Sequence, residues 1–197
     1  MKTFPVLSAL ALSLALSACG GGGGGGGGDA HTPATPSLSL AEFAGVWKPD
    51  ATGACAPSFA YNPAYSSRLR SHTITATSGD TLDLKVTIDL FTDTACAVPK
   101  GVVEEGFTLP VAAVTLPTRA NAIRGQALFM SSHSSAVDGN GISLTRIPDG
   151  SAAGLGTGRL LADVQDGQLF LTPAVQGVAV DGAGYPLALD PARVFVH

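Results

Sequence analysis

Apolar and polar residues alternate over residues 81–90: Leu82, Leu84, Val86, Ile88 and Leu90 interleave with Thr81, Asp83, Lys85, Thr87 and Asp89. A period of two puts the first set on one face of a strand and the second on the other. Ahead of it, His72-Thr73-Ile74-Thr75-Ala76-Thr77 is rich in β-branched residues, and Ser78-Gly79-Asp80 joins the two runs as a hairpin. Val164-Gln165 and Gln168-Leu169-Phe170-Leu171 flank Asp166-Gly167, a pair suited to a type I′ turn, which predicts a second hairpin. Further strands are predicted at Gly45–Lys48, Val102–Leu109, Val111–Leu116, Ala127–Ser131, Ile142–Ile147 and Ala192–Val196. One helical signal occurs. Ser39 and Glu42 fit a capping box ahead of Phe43, and Gly45 stops it within a turn. Roughly eight to ten short strands predict an all-β domain over residues 37–197, a single antiparallel β-barrel or, alternatively, a β-sandwich. Closing the first strand on the last removes both sheet edges, so Gly45–Lys48 is expected beside Ala192–Val196.

The first 36 residues follow another pattern. Lys2 supplies a positive start, Phe4–Leu16 is an apolar run too short to span a bilayer, and Leu16-Ser17-Ala18-Cys19 closes it. This resembles the lipobox of bacterial lipoproteins. The resemblance implies a signal peptide over residues 1–18, a diacylglyceryl group on the Cys19 sulfur and an acylated (palmitate-type) new amine. Two or three chains hold a protein stably at a membrane where one does not. In that family an aspartate after the cysteine retains the protein at the inner membrane. Gly20 stands there, so an outer-membrane location is implied, with the domain facing the periplasm or displayed on the surface. Gly20–Gly28 and the Pro-containing segment to Pro36 form a tether, residues 19–36 with the lipidated cysteine. Seventeen such residues span about 20–25 Å as a flexible coil.

Charge narrows the partners. The chain has 11 basic and 15 acidic side chains, a net of −4. An acidic balance without a basic cluster argues against nucleic acid and against an electrostatic grip on anionic lipid. Of three cysteines, lipidation consumes Cys19. Cys55 and Cys96 are left in an oxidising compartment and are expected to pair as a disulfide. Neither has a second ligand at metal spacing, so no metal and no cofactor is expected.

A helical turn followed by Gly45-Val46-Trp47 on the first strand resembles the opening of lipocalin-like barrels. In that family the tryptophan plugs one barrel end and a basic residue near the last strand covers it. The resemblance makes Trp47 and Arg193 the barrel-end pair and implies a ligand pocket in the barrel mouth. Trp47, Cys55 and Phe91-Thr92-Asp93-Thr94-Ala95-Cys96, with Gly184-Tyr185-Pro186 near the end, are similar to small Gram-negative envelope lipoproteins, a likeness that brings no activity with it. Secreted-metalloprotease inhibitors of the periplasm also start with Gly-x-Trp and carry one disulfide. They act through a free N-terminal segment, which a lipidated Cys19 would block.

Catalytic chemistry finds no foothold. Ser131-Ser132-His133-Ser134-Ser135 sets hydroxyls beside a histidine but reads as a polar surface loop, because a nucleophile needs a base and an orienting group at hydrogen-bond distance. Glu104 and Glu105 would point to opposite faces of a strand. Asp138-Gly139-Asn140-Gly141 and Asp181-Gly182-Ala183-Gly184 lack the ligand series of a calcium loop and read as turns. The expectation is a non-catalytic envelope lipoprotein whose barrel serves a structural or protein-interaction role, with no catalytic residues. Lipocalin-like binding of a small apolar ligand is the alternative and protease inhibition a minor one. The partners are then the membrane, through the lipid on Cys19, and an envelope protein or small apolar ligand.

Overall fold

The alternating run forms the strand that its period predicts, and its apolar set faces a core. The computed structural model of the chain describes residues 39–51, 53, 55–57, 64–117, 119–142 and 158–197. Among these, a 3₁₀ turn, Ala41–Phe43, precedes ten strands: β1 Gly45–Pro49, β2 Ala56–Pro57, β3 Ser66–Ser78, β4 Thr81–Phe91, β5 Pro99–Leu116, β6 Arg119–Gln126, β7 Leu128–Ala136, β8 Arg159–Gln165, β9 Gln168–Pro173 and β10 Val194–Val196. The 3₁₀ turn starts one residue later than the capping box predicts. Leu40 occupies the cap and no side chain bonds to the turn.

Eight strands close into an antiparallel barrel in the order β1-β10-β9-β8-β6-β5-β4-β3 and back to β1. Two short strands make the closure. β1 pairs β3 through Gly45, Val46 and Trp47, then pairs β10 through Lys48 and Pro49. The expected neighbours at the two ends of the domain are therefore hydrogen-bonded. On the opposite side β5 takes the same linking role over 18 residues. Its first part pairs β4 and β7, and residues from Val111 onward pair β6. The sequence suggested two strands with a break at Pro110. The chain instead runs straight through, because Pro110 falls between the β6 and β7 ladders, where one edge of β5 has no ladder bond to lose.

The inner face is apolar. Leu82, Leu84, Val86, Ile88 and Leu90 of β4 meet Ile74, Val103, Phe107, Leu109, Ile123, Leu160, Leu169, Leu171 and Phe195 in one cluster with Phe43 and Trp47. Burying each such side chain contributes about 1.5–3 kcal/mol. The outer face of β3, β4 and β5 carries Arg70, Thr75, Asp83, Lys85 and Glu104. Apolar inside and polar outside is the reverse of a membrane-spanning barrel, which turns an apolar band to lipid. On β8 and β9 the outer face is covered as well. Leu161 and Thr172 are buried there, and the Thr172 hydroxyl accepts the N–H of Asp190 at 2.7 Å, drawing the segment before β10 across those strands.

Three differences from the sequence pattern are informative. β3 begins at Ser66, six residues before the β-branched run, and a bulge between Leu69 and Ser71 restores its facing. β6 was not anticipated. The hydroxyl-rich stretch around His133 is a strand, β7, rather than a loop, because its backbone is laddered to β5 from Leu128 to Ala136. Apart from Ile142, the predicted strand Ile142–Ile147 lies outside the described residues, as do Cys19 and the tether.

Candidate functional site

The barrel end at the start of β1 is built around Trp47. The indole is fully buried, and its N–H donates to the Phe43 carbonyl at 2.8 Å. That bond fastens the 3₁₀ turn over the barrel end and satisfies the one polar atom of the ring. The second cover is His197, whose ring centroid lies 3.8 Å from that of Trp47 at an interplanar angle of 35°. Gly45 makes room for it. Its φ of +148° suits glycine alone, and a β-carbon there would overlap the imidazole.

The structure does not bring Arg193 to Trp47. Arg193 pairs with Asp190, Nε to Oδ2 at 3.4 Å, and its N–H donates to the Asp190 carbonyl in the same turn. Register is the reason. Lys48 lies opposite Val196 and Pro49 opposite Phe195. Antiparallel pairing then sets Trp47 across from His197, while Arg193 lies four residues back, about 13 Å along the strand.

Below the plug, His72 occupies the junction of three strands. It lies opposite Trp47 on β1 and Val86 on β4, and its ring is 4.7 Å from that of Phe195 on β10. It is 3% exposed, and its Nδ1 has no hydrogen-bond partner among the described residues. Burial lowers its pKa to about 4, so the ring is neutral at pH 7. Glu105 lies opposite Val86 in the same row and is also buried, whereas Glu104 turns outward to Lys85 at 3.0 Å. The two glutamates thus occupy opposite faces, as the strand period requires.

Cys55 and Cys96 form a disulfide with a Cα separation of 5.7 Å, inside the usual range. It ties the segment after β1 to the turn between β4 and β5. Cys96 takes a positive φ of 53°, and the Asp93 carboxylate holds the turn by accepting the N–H groups of Ala95, Ala97 and Val98. Those bonds, from Val98 first, depress the Asp93 pKa. No group of three metal-ligating side chains occurs among the described residues.

Two grooves mark the outer surface. One, about 420 Å³, crosses β3, β4, β5 and β7 and is lined by Asp83, Lys85, Glu104, Met130, Ser131 and His133 among others. Gly106 also lines it. His133 lies opposite Glu104, yet Ser131 and His133 share no hydrogen bond, and the Glu104 carboxylate is engaged by Lys85. Three groups of triad type are on one face without the contacts that activate a nucleophile. The other groove, about 400 Å³, is apolar: Leu116 and Pro117 face Phe170, Leu187, Leu189 and Pro191. Sequence reading missed both, since each depends on which strands lie side by side in the closed sheet. The two glycine-containing segments are turns: Asp138 bonds the Asn140 N–H and pairs with Lys100, and Asp181 bonds the N–H groups of Ala183 and Tyr185.

Comparison with known protein families, with curated proteins and with solved structures returns no match.

Proposed function

We propose that this chain is an envelope lipoprotein, held at the outer membrane by acyl chains on Cys19, whose β-barrel is a non-catalytic module for structural or protein-interaction use. The observation that carries the second half is the inner face. Leu82, Leu84, Leu90, Ile123, Leu160 and Leu169 fill inward positions and each retains no more than 1% of its surface. A barrel that holds a ligand keeps such positions small or leaves its lumen open. Large, close-packed inward side chains support a module that acts through its outside. The lipobox Leu16-Ser17-Ala18-Cys19 supports the first half.

Two measurements test the reading. Cys19→Ser is expected to abolish acylation and to release the protein from the membrane fraction. Continued detergent-dependent fractionation of that variant would overturn the anchor. Native mass spectrometry of protein purified from its own cells is expected to give the mass of the processed chain alone. A retained apolar molecule would replace the structural reading with the ligand-binding one.

A further inference from the structure

We propose that the seam where β1 leaves β3 for β10 is an acid-labile latch, closed by an uncharged His72 and opened when that imidazole gains a proton. The seam is the weakest part of the closure. β10 has three residues and β1 five, and β1 divides these between two partners. Each ladder across it has few bonds, so the packing beneath must hold it. That packing is Trp47, His72 and Phe195, one side chain from each of the three strands.

A proton on His72 adds a charge and a second N–H to this cluster. The imidazole would then need acceptors on both nitrogens, and Nδ1 faces none among the described residues. The titratable groups around it do not remedy this. From β5, Glu105 shares the inner-face row but stands two strands away, with Val86 between them. Just past β10, the His197 ring is stacked on Trp47 and brings no carboxylate to the cluster. Lys48 of β1 and Lys85 of β4 lie on the outer face. Glu42 of the 3₁₀ turn lies at the surface, where partial desolvation and then the charge of nearby Asp163 raise its pKa. Burial alone accounts for the low basicity of His72.

The direction follows from linkage. The folded-state pKa, about 4, is below the ordinary 6.5. The contribution of neutral His72 to stability is therefore complete above pH 6.5 and is lost as the pH falls towards 4. Between pH 7 and pH 5 the ratio of closed to open molecules falls about 20-fold from this residue. Release of β1 and β10 exposes Trp47, the sole tryptophan, and uncovers the strand edges of β3 and β9.

Hydrogen exchange on the full chain at pH 7 and pH 5, corrected for intrinsic rates, is the direct test. The expected result is loss of protection in Gly45–Pro49 and Val194–Val196 ahead of β4 and β5. Even loss across all strands, or none, overturns the latch. His72→Gln, similar in size and without charge, is expected to remove this roughly 20-fold dependence. His72→Phe is the second variant should glutamine not fold, and the wild-type exchange pattern decides the matter without either. Retention of the pH dependence in a folded His72 variant also overturns it. When Trp47 emission is read alongside, His197→Gln removes quenching by the stacked imidazole.

Discussion

The ring of His197 stacks on that of Trp47 at 3.8 Å and completes the cover of one barrel end. The partner follows directly on β10, the other strand of the closing pair, so a single contact joins the beginning of the barrel to its end. It acts together with the bond from the indole N–H to the Phe43 carbonyl, which holds the turn in place from the opposite side.

Trp47→Phe keeps most of the apolar volume and loses the indole N–H. The Phe43 carbonyl is left without its donor, at a cost of about 1–3 kcal/mol. Trp47→Ala opens a cavity as well and is expected to cost about 3–5 kcal/mol. Urea unfolding of both variants, with equal slopes, checks the order.

Gly45→Ala meets two obstacles, a backbone angle that suits glycine and the imidazole of His197. His197→Ala removes only the second. A double-mutant cycle is expected to show favourable coupling of about 0.5–3 kcal/mol, with Gly45→Ala still destabilising in the His197→Ala background. Strict additivity would mean that the methyl and the imidazole do not meet.

Replacing both Cys55 and Cys96 with alanine is expected to lower stability by about 2–4 kcal/mol, since the bridge closes a loop over a sequence separation of 41. Denaturation of the oxidised, reduced and double-alanine proteins should group the last two together.

Asp93 gives a second pH dependence, in a lower range than that of His72. Three backbone N–H groups favour its ionised form, so its folded-state pKa lies below the ordinary 3.8. Stability from this turn is present above that value and is lost as the pH falls through the depressed one. Melting temperatures from pH 7 to pH 2.5 are expected to decline less steeply below pH 4 in Asp93→Asn than in the wild type.

What could be read from the sequence follows from how each strand is solvated. β4 has one face in the core and one in water, so its alternation names both faces. β6 resists the same reading because Ala122 and Ile123 are adjacent and both fully buried; a strand covered on two sides has no period of two. β7 carries mostly hydroxyl residues, and only its ladder to β5 makes it a strand. The pairing of Cys55 with Cys96 was legible from the number of cysteines in a chain expected to be exported. The cover of Trp47 was not, because the lipocalin-like resemblance pointed to the cation Arg193, whereas the partner is set by counting along two antiparallel strands. The grooves depend on which strands lie side by side, and that order appears only in the closed barrel.

β5 belongs to both halves of the barrel, meeting β4 along its length to Pro110 and β6 from Val111 onward. A single residue gained or lost near Pro110 would turn every side chain beyond it from the core to the water, or the reverse, and no neighbouring turn could absorb the change. Drift in chain length is thus confined to the hairpin tips and to the segment between β9 and β10, while β5 keeps its count. The strand works as the ruler of the domain, and related chains should be recognisable first by its fixed length.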